Sequence, residues 1–113
     1  MNQLKNSVRL LGNLGANPEL KETSQGRKLA RLNLATSESY KDAEGNKVTE
    51  TQWHNLVAWG KTAEYAEKYL TKGSKIAIEG KLINRNYNDK DGNKRYVTEI
   101  VINEILNVSG KER

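Results

Sequence analysis

Thr51 to Gly60, TQWHNLVAWG, alternates residue by residue in the manner of a β-strand. Trp53, Asn55, Val57 and Trp59 share one parity, and Gln52, His54, Leu56 and Ala58 share the other. Successive strand side chains point to opposite faces, so the two tryptophans, the only ones in the chain, lie on the same face. The chain has no phenylalanine and a formal net charge of +5. Two flat rings in line on a basic chain point to a platform for stacking nucleobases. The competing reading places the rings in the core, where aromatics pack well. Leu56 and Ala58 can supply the core from the other face, which favours the platform.

Working outward from this strand, an inward row Val8, Leu10, Gly12 and Leu14 marks a first strand over Asn6 to Leu14, with Leu11 an apolar residue on its outer face. Asn17-Pro18 turns the chain, Glu19 to Thr23 allows a short extra strand, and Ser24-Gln25-Gly26 turns it back. Lys28 to Ser37 forms the second strand, with Ala30, Leu32, Leu34 and Thr36 inward and Arg31 and Asn33 outward. Glu38 to Lys47 reads as a polar loop with Gly45-Asn46 at its tip, and the third strand covers Val48 to Trp59. The period then changes to helical over Lys61 to Thr71, through Ala63, Ala66, Tyr69 and Leu70, with Gly73 as the expected stop. Lys75 to Tyr87 and Tyr96 to Val108 form a long hairpin about a turn at Asn88 to Asn93. Three strands, a helix and two strands is the order of the OB-fold, an all-β five-stranded Greek-key barrel. Gly12 and Gly80 fit positions of strong curvature.

The totals agree with this outline. A chain of 113 residues suits one domain, and 35% hydrophobic content with a mean hydropathy of −0.84 is polar but periodic. Nineteen Lys and Arg against 14 Asp and Glu favour a polyanion partner. The absence of cysteine removes disulfides, thiolate metal sites and a cysteine nucleophile. No stretch approaches a membrane span or a secretory apolar region, so the expected location is cytoplasmic, with the nucleoid.

Catalytic motifs fail on spacing. Gly60-Lys61-Thr62 resembles the end of a P-loop, but Asn55 stands where that loop needs its first glycine. Asp89, Asp91 and Gly92 resemble a calcium loop, but the glycine comes too early and the closing glutamate is missing. His54, the sole histidine, has neither metal co-ligands nor an orienting partner in the pattern. No enzyme, metal or cofactor is expected.

Five segments resemble the bacterial single-stranded DNA-binding proteins of the OB-fold type: LLGNLGANPEL (Leu10 to Leu20), NLATSESYKD (Asn33 to Asp42), TQWHNLVAWGKTAEYAEKYLTKGS (Thr51 to Ser74), IEGKL (Ile78 to Leu82) and RYVTEIVIN (Arg95 to Asn103). They run in family order over almost the whole chain. The resemblance implies base stacking by Tyr40, Trp53, Trp59 and Tyr87. It implies phosphate contacts by Lys61, Lys72, Arg85 and Arg95. Lys5, Arg9 and Arg31 join these as candidates from their outward parity. Tyr65, Tyr69 and Tyr96 are expected to pack. The resemblance further implies a homotetramer, with Leu11 and His54 near subunit contacts.

Two departures from the family pattern stand out. Asn55 occupies a position that is often basic. The family usually continues into a flexible linker and an acidic tip that recruits replication and repair enzymes. Here residues 1–108 form the expected DNA-binding domain, and residues 109–113 a short end without that tip, which leaves tail-mediated partners out. The expected role is sequence-independent binding and protection of single-stranded DNA. The rival readings are a primosome-like OB-fold accessory protein working through protein contacts and a cold-shock RNA chaperone, the latter disfavoured by the helix and the chain length.

Overall fold

The computed structural model describes residues 5–109. The elements run β1 (Val8–Leu14), β2 (Glu19–Glu22), β3 (Lys28–Lys41), β4 (Lys47–Trp59), α1 (Lys61–Tyr69), β5 (Lys75–Asn88) and β6 (Lys94–Asn107). Strands pair in the order β1-β5-β6-β4-β3-β2, and an additional β1–β3 pairing closes five of them into a barrel. The β4–β6 pair is parallel, Leu56 opposite Ile100, and the other pairs are antiparallel. This is the expected OB-fold, with the short β2 added as a flap on β3. Of the anticipated C-terminal end, residues 110–113 lie outside the described residues.

The interior is filled by aliphatic residues and alanine: Leu14, Ala30, Leu32, Leu34, Leu56, Ala58, Ala63, Ala66, Leu70, Ile76, Ile78, Ile100 and Ile102. No tryptophan or tyrosine belongs to this fully buried cluster, so the core reading of Trp53 and Trp59 fails. Leu56 and Ala58 do serve the core from the opposite pleat face.

Closure depends on two glycines. A Cβ on Gly12 would sit 2.1 Å from the Ala35 carbonyl oxygen, at the seam where β1 meets β3. A Cβ on Gly80 would sit 2.2 Å from the Val101 carbonyl oxygen, at a bulge in the β5–β6 ladder. That bulge passes over Asn103, so the inward position moves from Ile102 to Ile105 and the barrel bends.

Two expectations on element bounds need correction. Glu38 to Lys41 and Lys47 are paired strand, so the polar loop shrinks to Asp42–Asn46, while Val48 to Glu50 are strand as expected. Polar residues on both faces hide this extension from a hydrophobic-period reading. Cross-strand hydroxyl pairs Ser37–Thr51 (3.2 Å) and Ser39–Thr49 (3.1 Å) support it instead. The helix ends at Tyr69, with Leu70 extended and buried in the core, so Leu70 and not Gly73 stops it.

The turns at Asp42–Asn46 and Asp89–Asn93 share one design. In each, the aspartate Oδ1 accepts two backbone N–H groups at 2.9 Å, and a glycine at positive φ lets the chain reverse. The acidic pattern around Asp89 is therefore hairpin geometry. The two hairpins carry β3–β4 and β5–β6 well beyond the barrel.

Candidate nucleic-acid interface

Register places the outer faces of four adjacent strands in rows. On β3–β4 the outward pairs are Leu29/Trp59, Arg31/Val57, Asn33/Asn55 and Ala35/Trp53. The parallel β4–β6 pairing and the β5–β6 ladder bring Glu99, Val97, Arg85 and Tyr87 alongside. A shallow groove results, lined by Lys21, Arg31, Leu32, Asn55, Leu56, Arg85, Tyr87, Val97 and Glu99. It runs on into a second hollow formed by Arg31, Asn33 and Asn55 against the loop Ala16 to Pro18.

Trp53 stands at one end of this surface, 59% exposed. Its ring lies against Gly15, where a Cβ would come within 2.5 Å of Cζ3. Trp59 lies six residues further along the same face, about 20 Å away at strand spacing. It is half-buried, and the Arg27 guanidinium covers its ring at 4.4 Å from the centroid. Tyr87 is 50% exposed in the groove wall. Tyr40 is equally open, but register puts it on the opposite pleat face from Trp53, paired with Val48, its hydroxyl 3.5 Å from Glu50 Oε2. Of the tyrosines expected to pack, Tyr65 packs on the core and Tyr69, though exposed, lies against the Tyr65 ring at 5.1 Å between centroids, whereas Tyr96 is exposed.

The basic candidates divide by location. Arg31 and Arg85 face each other across the groove, and both donate to Glu99, Arg31 at 2.8 Å and Arg85 twice at 2.9 Å. These bonds hold the Glu99 carboxyl below the usual range, Arg85 contributing most, against the opposing effect of burial; they raise the Arg85 guanidinium in turn. Arg95, opposite Tyr87, is held by Asp89 at 2.9 Å, and that bond, with backbone N–H donors, lowers Asp89. Lys61 is exposed at the first turn of α1, two residues beyond Trp59. Lys72 is exposed where its backbone N–H donates to Asn17, a groove-lining residue. Lys5 precedes Asn6, whose side chain bonds the Leu82 backbone twice. Arg9 lies apart from the groove, on the outer face of β1 beside Glu79. Beside Asn55 the groove has Arg31 from the next strand.

Leu11 and His54 lie on strands that are not neighbours in the barrel. Leu11 (54% exposed) forms an open apolar hollow with Leu106 (62% exposed) and Ala77. His54 is half-buried on the inner face of β4, its Nε2 2.9 Å from Thr36 Oγ1. Residues missed at the sequence level include Lys21, Gly15, Arg27 and Glu99. Only Glu99 left a local signal, as the one charged residue in the strand run Val97 to Ile102. The others come together through turns and crossings.

A closed OB barrel with a cationic groove and open aromatic rings falls in the class of barrels whose strand faces bind oligonucleotides or oligosaccharides. The sequence profile of the Single-strand binding protein family matches residues 5–108, and the chain belongs to that family. It is similar to Single-stranded DNA-binding protein 1 of Chlorobaculum tepidum, 44% identical over 108 residues, covering 95% of this chain and 67% of that protein. It is similar also to Single-stranded DNA-binding protein 1 of Xylella fastidiosa, 42% identical over 95% of this chain and 79% of that protein. Among solved structures, the Plasmodium falciparum SSB complex with ssDNA superposes with a TM-score of 0.84 at 27% identity, covering 91% of this chain and 94% of that one. Family membership assigns a binding role and not a catalytic one.

Proposed function

We propose that this chain binds single-stranded DNA without sequence preference and protects it during replication, recombination and repair. The observation that carries this reading is Trp53, more than half exposed on the outer face of β4 beside a groove with Arg31 and Arg85 across its floor. Bases stack on Trp53, Trp59 and Tyr87; Tyr40, on the opposite pleat face, meets a strand only where the DNA passes around the β3–β4 hairpin to that face. Any base offers a π-face, so stacking tolerates every sequence, at about 1–3 kcal/mol per base. Arg31, Arg85, Arg95, Lys61 and Lys72 attract the phosphates along the way, and Lys5 and Arg9 add to the field. A duplex hides its base faces and is a poor ligand.

A second copy covers the Leu11–Ala77–Leu106 hollow, and a homotetramer built on this contact, with His54 near a further subunit contact, lets one strand wrap several barrels. The working place is the cytoplasm, on DNA of the nucleoid. A protein-contact role alone, as in a primosome-like accessory protein, gives no reason for rings this exposed beside fixed cations.

The test is fluorescence anisotropy of a labelled oligothymidine and of a duplex of equal length, at low and high salt. Tight binding of the single strand alone, weakening with a log–log salt slope of about −0.7 per phosphate contact, supports the reading. Equal binding of the duplex, or no binding at micromolar protein, contradicts it.

A further inference from the structure

Among the described residues, Glu99 is the only charged side chain in the buried class, 3% exposed. It sits on the outer face of β6, at the floor of the groove proposed above for DNA. A carboxylate is the wrong charge for a surface that receives phosphates, and burying one is costly unless every lone pair is matched. Glu99 is matched by residues from two other strands. Arg31 Nη1 on β3 donates to Oε2 at 2.8 Å, while Arg85 on β5 donates from Nε to Oε1 and from Nη2 to Oε2, both at 2.9 Å. The Arg85 contact is the two-bond fork in which a guanidinium direction is fixed. Both arginines remain open on the groove side, with side-chain exposures of 38% and 45%.

Two cations on one anion leave a net single positive charge, and each guanidinium keeps N–H donors that Glu99 does not use. Free arginines would bring more charge, but as long side chains that must be ordered on binding.

We propose that Glu99 is a positioning residue for DNA binding: by anchoring Arg31 and Arg85 from below, it presents their remaining N–H groups as one preformed receiver for a single backbone phosphodiester, between Asn55 and Tyr87. The inference rests on the reading of this groove as the DNA path. It explains why an acidic residue lies at the centre of a basic surface. Charge is given up for direction.

The test is the Glu99→Gln variant, titrated with labelled oligothymidine across a salt series. Removing a negative charge under the groove strengthens binding if charge alone matters. Positioning predicts the reverse, about tenfold weaker binding at fixed salt, with the salt slope shallower by about one phosphate contact. A merely structural role moves the melting temperature and leaves the slope alone. Arg85→Lys keeps the charge but cannot span both carboxylate oxygens; it is expected to match Glu99→Gln, with the double variant no weaker than either. If Glu99→Gln does not fold, Arg85→Lys decides. Binding as tight as wild type by Glu99→Gln, or by Arg85→Lys where it alone is tested, overturns the proposal. If Arg31→Ala and Arg85→Ala also bind like wild type, the groove reading itself fails; if those two weaken binding while Glu99→Gln does not, only the positioning role fails.

Discussion

Gly15→Ala probes the seat of Trp53 without touching the ring. The new Cβ would stand 2.5 Å from Cζ3 and 2.8 Å from Cη2 of Trp53. Carbon atoms rest at about 3.5–4.0 Å, so the ring edge must retreat by about 1 Å. Gly15 is not among the residues at positive φ, so alanine brings no left-handed backbone strain. The ring is mostly exposed and has room to move outward, so the fold should hold and the melting temperature should change little. Stacking should suffer. Complete loss of the ring in Trp53→Ala removes about 1–3 kcal/mol, or about 5- to 150-fold in affinity. A displaced ring keeps part of that, and Gly15→Ala is expected to bind oligothymidine about fivefold more weakly, with altered tryptophan emission before DNA is added. Non-additivity is the sharper readout: in a Trp53→Ala background, Gly15→Ala should have no further effect. An equal loss in both backgrounds would show that Gly15 acts on something other than Trp53. Wild-type affinity in the single variant would refute the seating.

Gly12→Ala forces a Cβ against the Ala35 carbonyl at the barrel seam, and should cost about 3 kcal/mol or more in urea unfolding. Arg27→Ala uncovers Trp59; loss of the cation–π contact costs about 0.5–1 kcal/mol and should shift the Trp59 emission, read in a Trp53→Phe background. Because its folded-state pKa is depressed, Glu99 contributes stability that is fully present above the ordinary glutamate pKa, about 4.3, and lost as pH falls toward the folded value. Acid unfolding followed by circular dichroism should therefore show a limb below about pH 4 that flattens in Glu99→Gln.

Much of the barrel was legible because its inward rows alternate cleanly and are built from aliphatic residues. The end of β3 escaped because Glu38, Ser39 and Lys41 leave Tyr40 as its sole apolar residue, giving pairing without hydrophobic period. The helix end escaped because Leu70 continues the helical period while its backbone already runs extended into the core. The outward placement of Trp53 could be read from parity, since Leu56 and Ala58 accounted for the core. What parity could not show is which charges meet. Arg31 and Arg85 are 54 residues apart in sequence, and only the barrel brings both to Glu99. Tyr96 shows the opposite failure: an aromatic in a strand was expected to pack, but it lies where β6 has left the barrel, exposed, with the Lys94 ammonium over its ring.

The most direct measurement is a titration of intrinsic tryptophan fluorescence with oligothymidine and, in parallel, with duplex DNA, at two salt concentrations. Stacking on Trp53 and Trp59 predicts strong quenching by the single strand alone, with an apparent affinity that falls as salt rises. Emission unchanged at micromolar protein and saturating single strand would contradict it.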